Sequence, residues 1–197
     1  MNLPNKITLS RLILIPVIIF FYLAYSFIPA GKLIATIIFA IAIFTDFLDG
    51  YFARKLNLVT TLGKFLDNIA DKMLVLSCLI LLICDGTIIA PYGAIATIII
   101  LAREFMVTAL RQMAASKNVI IAADMWGKVK ANFQFFAILF FMLFSYLLGL
   151  NVMSSTLKLV AEIICYALLA VTVLATIISG VHYLVKNGEV FVDKKVE

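Results

Sequence analysis

Asp46-Phe47-Leu48-Asp49-Gly50-Tyr51-Phe52-Ala53-Arg54 is followed, eight residues on, by Gly63-Lys64-Phe65-Leu66-Asp67-Asn68-Ile69-Ala70-Asp71. Both segments are embedded in long apolar runs, yet together they hold four carboxylates of a chain with only 11 acidic residues. Charge concentrated in an apolar setting has to be balanced by a partner.

Outward from this stretch the chain is that of a membrane protein. It has 197 residues, of which 64% are hydrophobic, and a mean hydropathy of +1.14; soluble domains stop near about half apolar. Apolar runs of roughly 20 residues predict spans over 11–28, 33–54, 62–84, 88–114, 129–149 and 156–185. Pro29 to Gly31, Asn57, Asp85-Gly86, Lys117-Asn118, Gly149 to Asn151 and Lys186 to Gly188 supply the breaks. The more polar residues 1–10 predict a short interfacial segment feeding the first span. That opening has the charged-then-apolar order of a signal peptide, but five further spans and no small-residue cleavage pattern favour a retained helix. The expectation is one all-α polytopic domain over 1–197, with six transmembrane helices. Cys78, Cys84 and Cys165 lack metal-ligand spacing and read as small apolar packing residues.

A net charge of +5 would suit nucleic acid in a soluble protein. Here the charges report topology instead, and no nucleic acid is expected. On the predicted map every lysine and arginine except Lys32 and Lys158 lies toward one side. The basic side is cytoplasmic, which puts both termini and the aspartates on the inner face of the cell membrane.

With about 100° per residue, Asp46, Asp49, Gly50 and Ala53 share one stripe of a helix, and Gly63, Asp67 and Asp71 share a stripe of the next. A short connection makes the two helices antiparallel neighbours, with their polar stripes facing at the cytoplasmic end. Four carboxylates so arranged suit hard divalent cations, Mg²⁺ or Mn²⁺ rather than zinc, since no His or Cys is close. Two such ions can clamp a phosphoryl group. Arg54, Lys64 and Lys72 are further sources of positive charge, and Gly50 and Ala53 leave room for a bulky ligand. Salt-bridged acids at helix ends would explain one aspartate, but not four in this register. A cation transporter would place its carboxylates near the midplane, not at one interface.

The pattern Asp-x2-Asp-Gly-x2-Ala-Arg-x8-Gly-x3-Asp-x3-Asp resembles the signature of the CDP-alcohol phosphatidyltransferase family, and every defined position matches. The resemblance extends to six helices with the motif at the cytoplasmic edge of the second and third. It implies transfer of a phosphatidyl group from CDP-diacylglycerol to an alcohol, with release of CMP. It further implies that Asp46, Asp49, Asp67 and Asp71 bind two metal ions and that Asp71 is the general base. Gly50, Ala53, Arg54 and Gly63 would then surround the CDP moiety, and a homodimer is expected.

The acceptor alcohol is read from spans four and five. Glu104, Thr108 and Arg111 share a face there, as do Gly127, Lys130 and Gln134. Arg103, Arg111, Lys128 and Lys130 near the carboxylates suit an acceptor that carries phosphate. The segments Asn5 to Arg11, Gly63 to Lys72, Arg103 to Phe105 and Gly127 to Lys130 resemble the branch of the family that uses sn-glycerol 3-phosphate. Inositol phosphate, serine and phosphatidylglycerol are the alternatives. Trp126 and Tyr183 read as interfacial anchors. The aromatics between Phe133 and Phe144 read as packing against lipid or neighbours, and Pro16 as a kink in the first span.

Overall fold

The computed structural model describes the backbone of residues 3–55, 61–117, 121 and 125–188, and the side chains of these except 3–8, 46–55, 61, 62 and 64. Among the described residues there are six α-helices and no strand: α1 (Leu3–Leu23), α2 (Gly31–Lys55), α3 (Thr61–Cys84), α4 (Ala90–Ser116), α5 (Met125–Gly149) and α6 (Ser155–Lys186). A 3₁₀ turn, Ala24–Ser26, extends α1.

Local chemistry sets these boundaries. Pro91 sits in the first turn of α4, where its missing N–H has no partner to lose. The Ser154 hydroxyl accepts from the Leu157 N–H at 3.3 Å and caps α6. Gly86 turns the chain after α3 with a φ of 75°, a conformation that glycine adopts without strain. At Gly31 a Cβ would strike the carbonyl oxygen of Phe21, so glycine lets α2 start hard against the end of α1.

Two expected boundaries change. Residues 1–10 were expected to form a separate interfacial segment, but α1 runs without a break from Leu3; Pro4 falls in its first turn, where proline is tolerated. Span five was expected from 129, but α5 begins at Met125. Lys128 and Lys130 lower the hydropathy there without interrupting the helix.

Among the described residues, four segments are long and apolar enough to cross a membrane: Leu9–Ser26, Ala90–Ser116, Met125–Gly149 and Ser155–Lys186. The described apolar run of α2, Gly31–Thr45, is shorter. Length and composition of the described residues therefore support four crossings of the six expected; in α3, Asp67, Asp71 and Lys72 lower the hydropathy, and the described run of α2 ends at Thr45. Large apolar side chains such as Phe20, Phe27, Phe44, Ile98, Ile163 and Leu174 face outward, as suits a lipid environment.

Ile18 of α1, Phe39 of α2, Leu82 of α3 and Phe141 of α5 belong to the main core. A smaller cluster joins Val107 and Leu110 of α4 to Tyr183 of α6. The expected facing of α2 and α3 at the cytoplasmic end falls largely outside the described residues; among those described, α1 packs extensively against both α2 and α3. Likewise α4 packs on α3 and α6 while α5 packs on α6, α2 and α3. A gap is thereby left between α4 and α5, with α3 as its floor.

At the Asp85 end a polar cluster locks the bundle. Lys32 donates to Asp85 Oδ2 at 3.0 Å and to Ser145 at 2.7 Å. Tyr22 donates to the same Asp85 oxygen at 2.5 Å, and the Lys32 ammonium lies 4.6 Å from the centre of the Tyr25 ring. The side chains of Lys32 and Asp85 are only 12% and 11% exposed. Burial pushes the Asp85 carboxyl up, but hydrogen bonds from Tyr22, Ser145 and Thr87 outweigh it and hold the group below its usual range. A depressed folded value means that this stabilisation is present above the ordinary pKa of about 4 and is lost as pH falls through the lower folded value. Lys32→Met should leave a buried, uncompensated carboxylate and cost about 3 kcal/mol. Thermal unfolding in detergent checks this, and the double change Lys32→Met with Asp85→Leu should recover part of the loss.

Candidate active site

On α3, Asp67 and Asp71 are one turn apart and share a face. The opposing charge comes from α1. Arg11 is fully buried (0% exposed), and its Nη1 donates to Asp67 Oδ1 at 3.1 Å and to Asp71 Oδ1 at 2.7 Å. A buried guanidinium is tolerated where it is paired in this way. Sequence reading counted Arg11 among the basic residues of one side and gave it no site role. The signal was nonetheless present: Arg11 occupies the stripe that continues as Ile15, Ile18 and Tyr22, all buried. A charge on a core-facing stripe demands an internal partner.

The side chains of Asp67 and Asp71 remain 45% and 38% exposed. Their oxygens thus lie at an open edge, and an oxygen-only donor pair fits a hard cation better than zinc. The side chains of Asp46, Asp49, Ala53 and Arg54, and the position of Gly50 relative to them, lie outside the described residues, although α2 is helical through all five. Gly63 is half-buried in the first turn of α3. Among the described residues no group of three or more His, Cys, Asp or Glu comes together. The described part of the quartet is the Asp67–Asp71 pair.

Beside that pair lies the gap between α4 and α5, a cavity of about 110 Å³. Its polar wall is Asp71, Lys72, Glu104, Lys130 and Gln134; Val75, Ile100, Leu101, Ala131 and Phe135 close the rest. Lys130 is buried and donates to Glu104 Oε1 at 2.5 Å. Arg103 reaches the same oxygen at 3.3 Å and donates from Nη2 to Ser179 of α6 at 2.5 Å. Gly180 gives this side chain room, since a Cβ there would stand a tight 3.2 Å from Arg103 Cγ. Lys72 donates to Thr108 at 2.5 Å, and Thr108 donates to the Glu104 carbonyl at 2.8 Å.

Of the four cations expected to hold an acceptor phosphate, Lys130 lines the cavity and Arg103 shares its carboxylate. Arg111 is one step away: its Nε donates to the Tyr183 hydroxyl at 3.2 Å, with the guanidinium 5.6 Å from the ring centre. Lys128 is exposed and does not line the cavity. Tyr183, expected as an interfacial anchor, is buried against α4 instead. Cys78 and Cys165 are buried free thiols as expected for packing residues, whereas the free thiol of Cys84 is exposed at the end of α3.

The arrangement places a carboxylate pair at an open edge, with one member forming the wall of a small cation-rich cavity. It is suited to holding an anionic hydroxyl compound with its hydroxyl beside Asp71. The sequence model for the family described as CDP-alcohol phosphatidyltransferase matches residues 1–178. The chain is 42% identical, over 95% of its length and 96% of the relative's, to the CDP-diacylglycerol–glycerol-3-phosphate 3-phosphatidyltransferase of Bacillus subtilis (strain 168). Proteins of the same name are 40% identical in Rickettsia bellii (strain RML369-C), over 92% of this chain and 93% of that one, and 39% identical in Haemophilus influenzae, over 70% and 73%.

Proposed function

The chain belongs to the CDP-alcohol phosphatidyltransferase family, and from that premise we propose that it transfers the phosphatidyl group of CDP-diacylglycerol to sn-glycerol 3-phosphate, releasing CMP. The observation that carries this reading is the double position of Asp71, which is held by Arg11 in the acid pair and also forms part of the cavity wall.

The cavity receives the acceptor. Lys130 and Lys72 attract its phosphate, while Arg103 and Arg111 add positive charge from behind and Lys128 from the surface. The acceptor's terminal hydroxyl lies beside Asp71, which takes its proton as the oxygen attacks phosphorus. One P–O bond forms to glycerol 3-phosphate, one breaks to CMP, and CMP leaves with the bonding electrons. Arg11 fixes the orientation of Asp71 throughout. Asp46, Asp49, Asp67 and Asp71 would hold two divalent cations, Mg²⁺ or Mn²⁺, which when bound supply Lewis-acid stabilisation to the phosphoryl oxygens. Gly50, Ala53, Arg54 and Gly63 would flank the CDP moiety.

In this reading one domain crosses the cell membrane six times, with both termini and the site cytoplasmic. That orientation is supported by the distribution of basic residues. The apolar outer faces suit a homodimer.

CMP release by the purified protein tests the assignment. Glycerol 3-phosphate should be preferred over serine, inositol phosphate and phosphatidylglycerol. EDTA should abolish release, and Mn²⁺ or Mg²⁺ should restore it. Preference for serine or phosphatidylglycerol would sink the acceptor, and release indifferent to EDTA would sink the metal site.

A further inference from the structure

One polar group in the cavity wall has no role in the chemistry above. Gln134 is 4% exposed, and its carboxamide makes no hydrogen bond among the described residues; its Oε1 is sealed from solvent without a partner. Every other polar side chain of the wall is engaged. Lys130 holds Glu104, Lys72 holds Thr108, and Asp71 holds Arg11. A buried amide left unsatisfied is unfavourable, and the deficit is removed when a ligand supplies the missing partner.

The chemistry of that partner follows from the amide. A carboxamide presents an acceptor and a donor that exchange places on a half-turn of the terminal torsion. A phosphate oxygen satisfies only the nitrogen, and an ammonium only the oxygen. A hydroxyl satisfies either. Position agrees: Lys130 and Gln134 are one turn apart on α5, and Asp71 faces them from α3 across the same cavity. An acceptor with phosphate near the lysines and its reacting hydroxyl at Asp71 carries a further hydroxyl between the two.

We propose that Gln134 is a specificity-determining residue that binds the non-reacting C2 hydroxyl of the acceptor, so that the cavity selects a vicinal diol phosphate over a simple hydroxyalkyl phosphate. This rests on the acceptor reading given above. A site built to hydrogen-bond a hydroxyl discriminates against the analogue lacking it, because the buried group is then left unpaired.

The test compares sn-glycerol 3-phosphate with propane-1,3-diol monophosphate, which lacks only the C2 hydroxyl, in the wild-type protein and in Gln134→Leu. Wild-type kcat/KM should fall about 10- to 100-fold on the deoxy acceptor. Gln134→Leu should lose a similar factor on glycerol 3-phosphate and almost none on the deoxy acceptor, with KM for CDP-diacylglycerol unchanged. Equal use of the two acceptors by the wild-type protein overturns the proposal without any variant. So does a Gln134→Leu protein, or Gln134→Met if that one does not fold, that keeps the full discrimination. Failure of the wild-type protein to use glycerol 3-phosphate at all is a different result: it removes the acceptor reading itself.

Discussion

Asp71→Asn should lower the rate of CMP release by about a thousandfold or more, the largest effect expected of any single substitution in the chain. General-base catalysis alone contributes about 10²–10⁴, and the same carboxylate is also an expected cation ligand. The amide keeps the size of Asp71 and can still meet Arg11 through its oxygen, so the fold should survive. The informative measurement is therefore single-turnover CMP release at saturating concentrations of both substrates, alongside thermal unfolding in detergent. Near-normal unfolding with lost turnover places Asp71 in the chemistry. Turnover within about tenfold of wild type would remove it from that role.

Arg11→Gln should come next, with kcat lower by about 100-fold and KM for both substrates moved less than about threefold. Arg11 touches neither substrate in the proposed mechanism; it acts through Asp67 and Asp71, which it reaches at 3.1 and 2.7 Å. Asp67 and Asp71 are 45% and 38% exposed, so solvent screens them once Arg11 is gone, and the loss falls on the orientation of the base rather than on stability. Arg11→Lys restores a cation on a different stem and should recover about tenfold in kcat. A residue that served only to pack α1 would show the reverse pattern, with Arg11→Lys no better than Arg11→Gln and the loss visible in unfolding alone.

How much was legible beforehand depended on whether the signal was local. Most helix ends were read within a few residues because Pro29, Gly31 and Gly86 act on their own neighbours. The Asp67–Asp71 register was legible because it lies on one helix. Arg11 was not assigned, because its partners are 56 and 60 residues away and nothing local marks which helix will face it. Lys32 was read as a charge of the far side and Asp85 as part of a break; packing alone brings them together over 53 residues. Tyr183 misled because an amphipathic ring near a helix end suits an interface equally well. The cavity was beyond reach altogether, since it exists because α4 and α5 stand apart, and no sequence period encodes a gap.

The position of α1 against both α2 and α3 also bears on how the protein is made. Arg11 leaves the ribosome 56 residues ahead of Asp67, an interval of about 3 to 11 s at ordinary synthesis rates. During that time the first helix holds an arginine with its α3 partners not yet synthesised, and such a charge draws its helix toward the headgroups. The ion pairs that join α1 to α3 can form only once Asp67 and Asp71 have been made, so the first helix to be synthesised completes its contacts late.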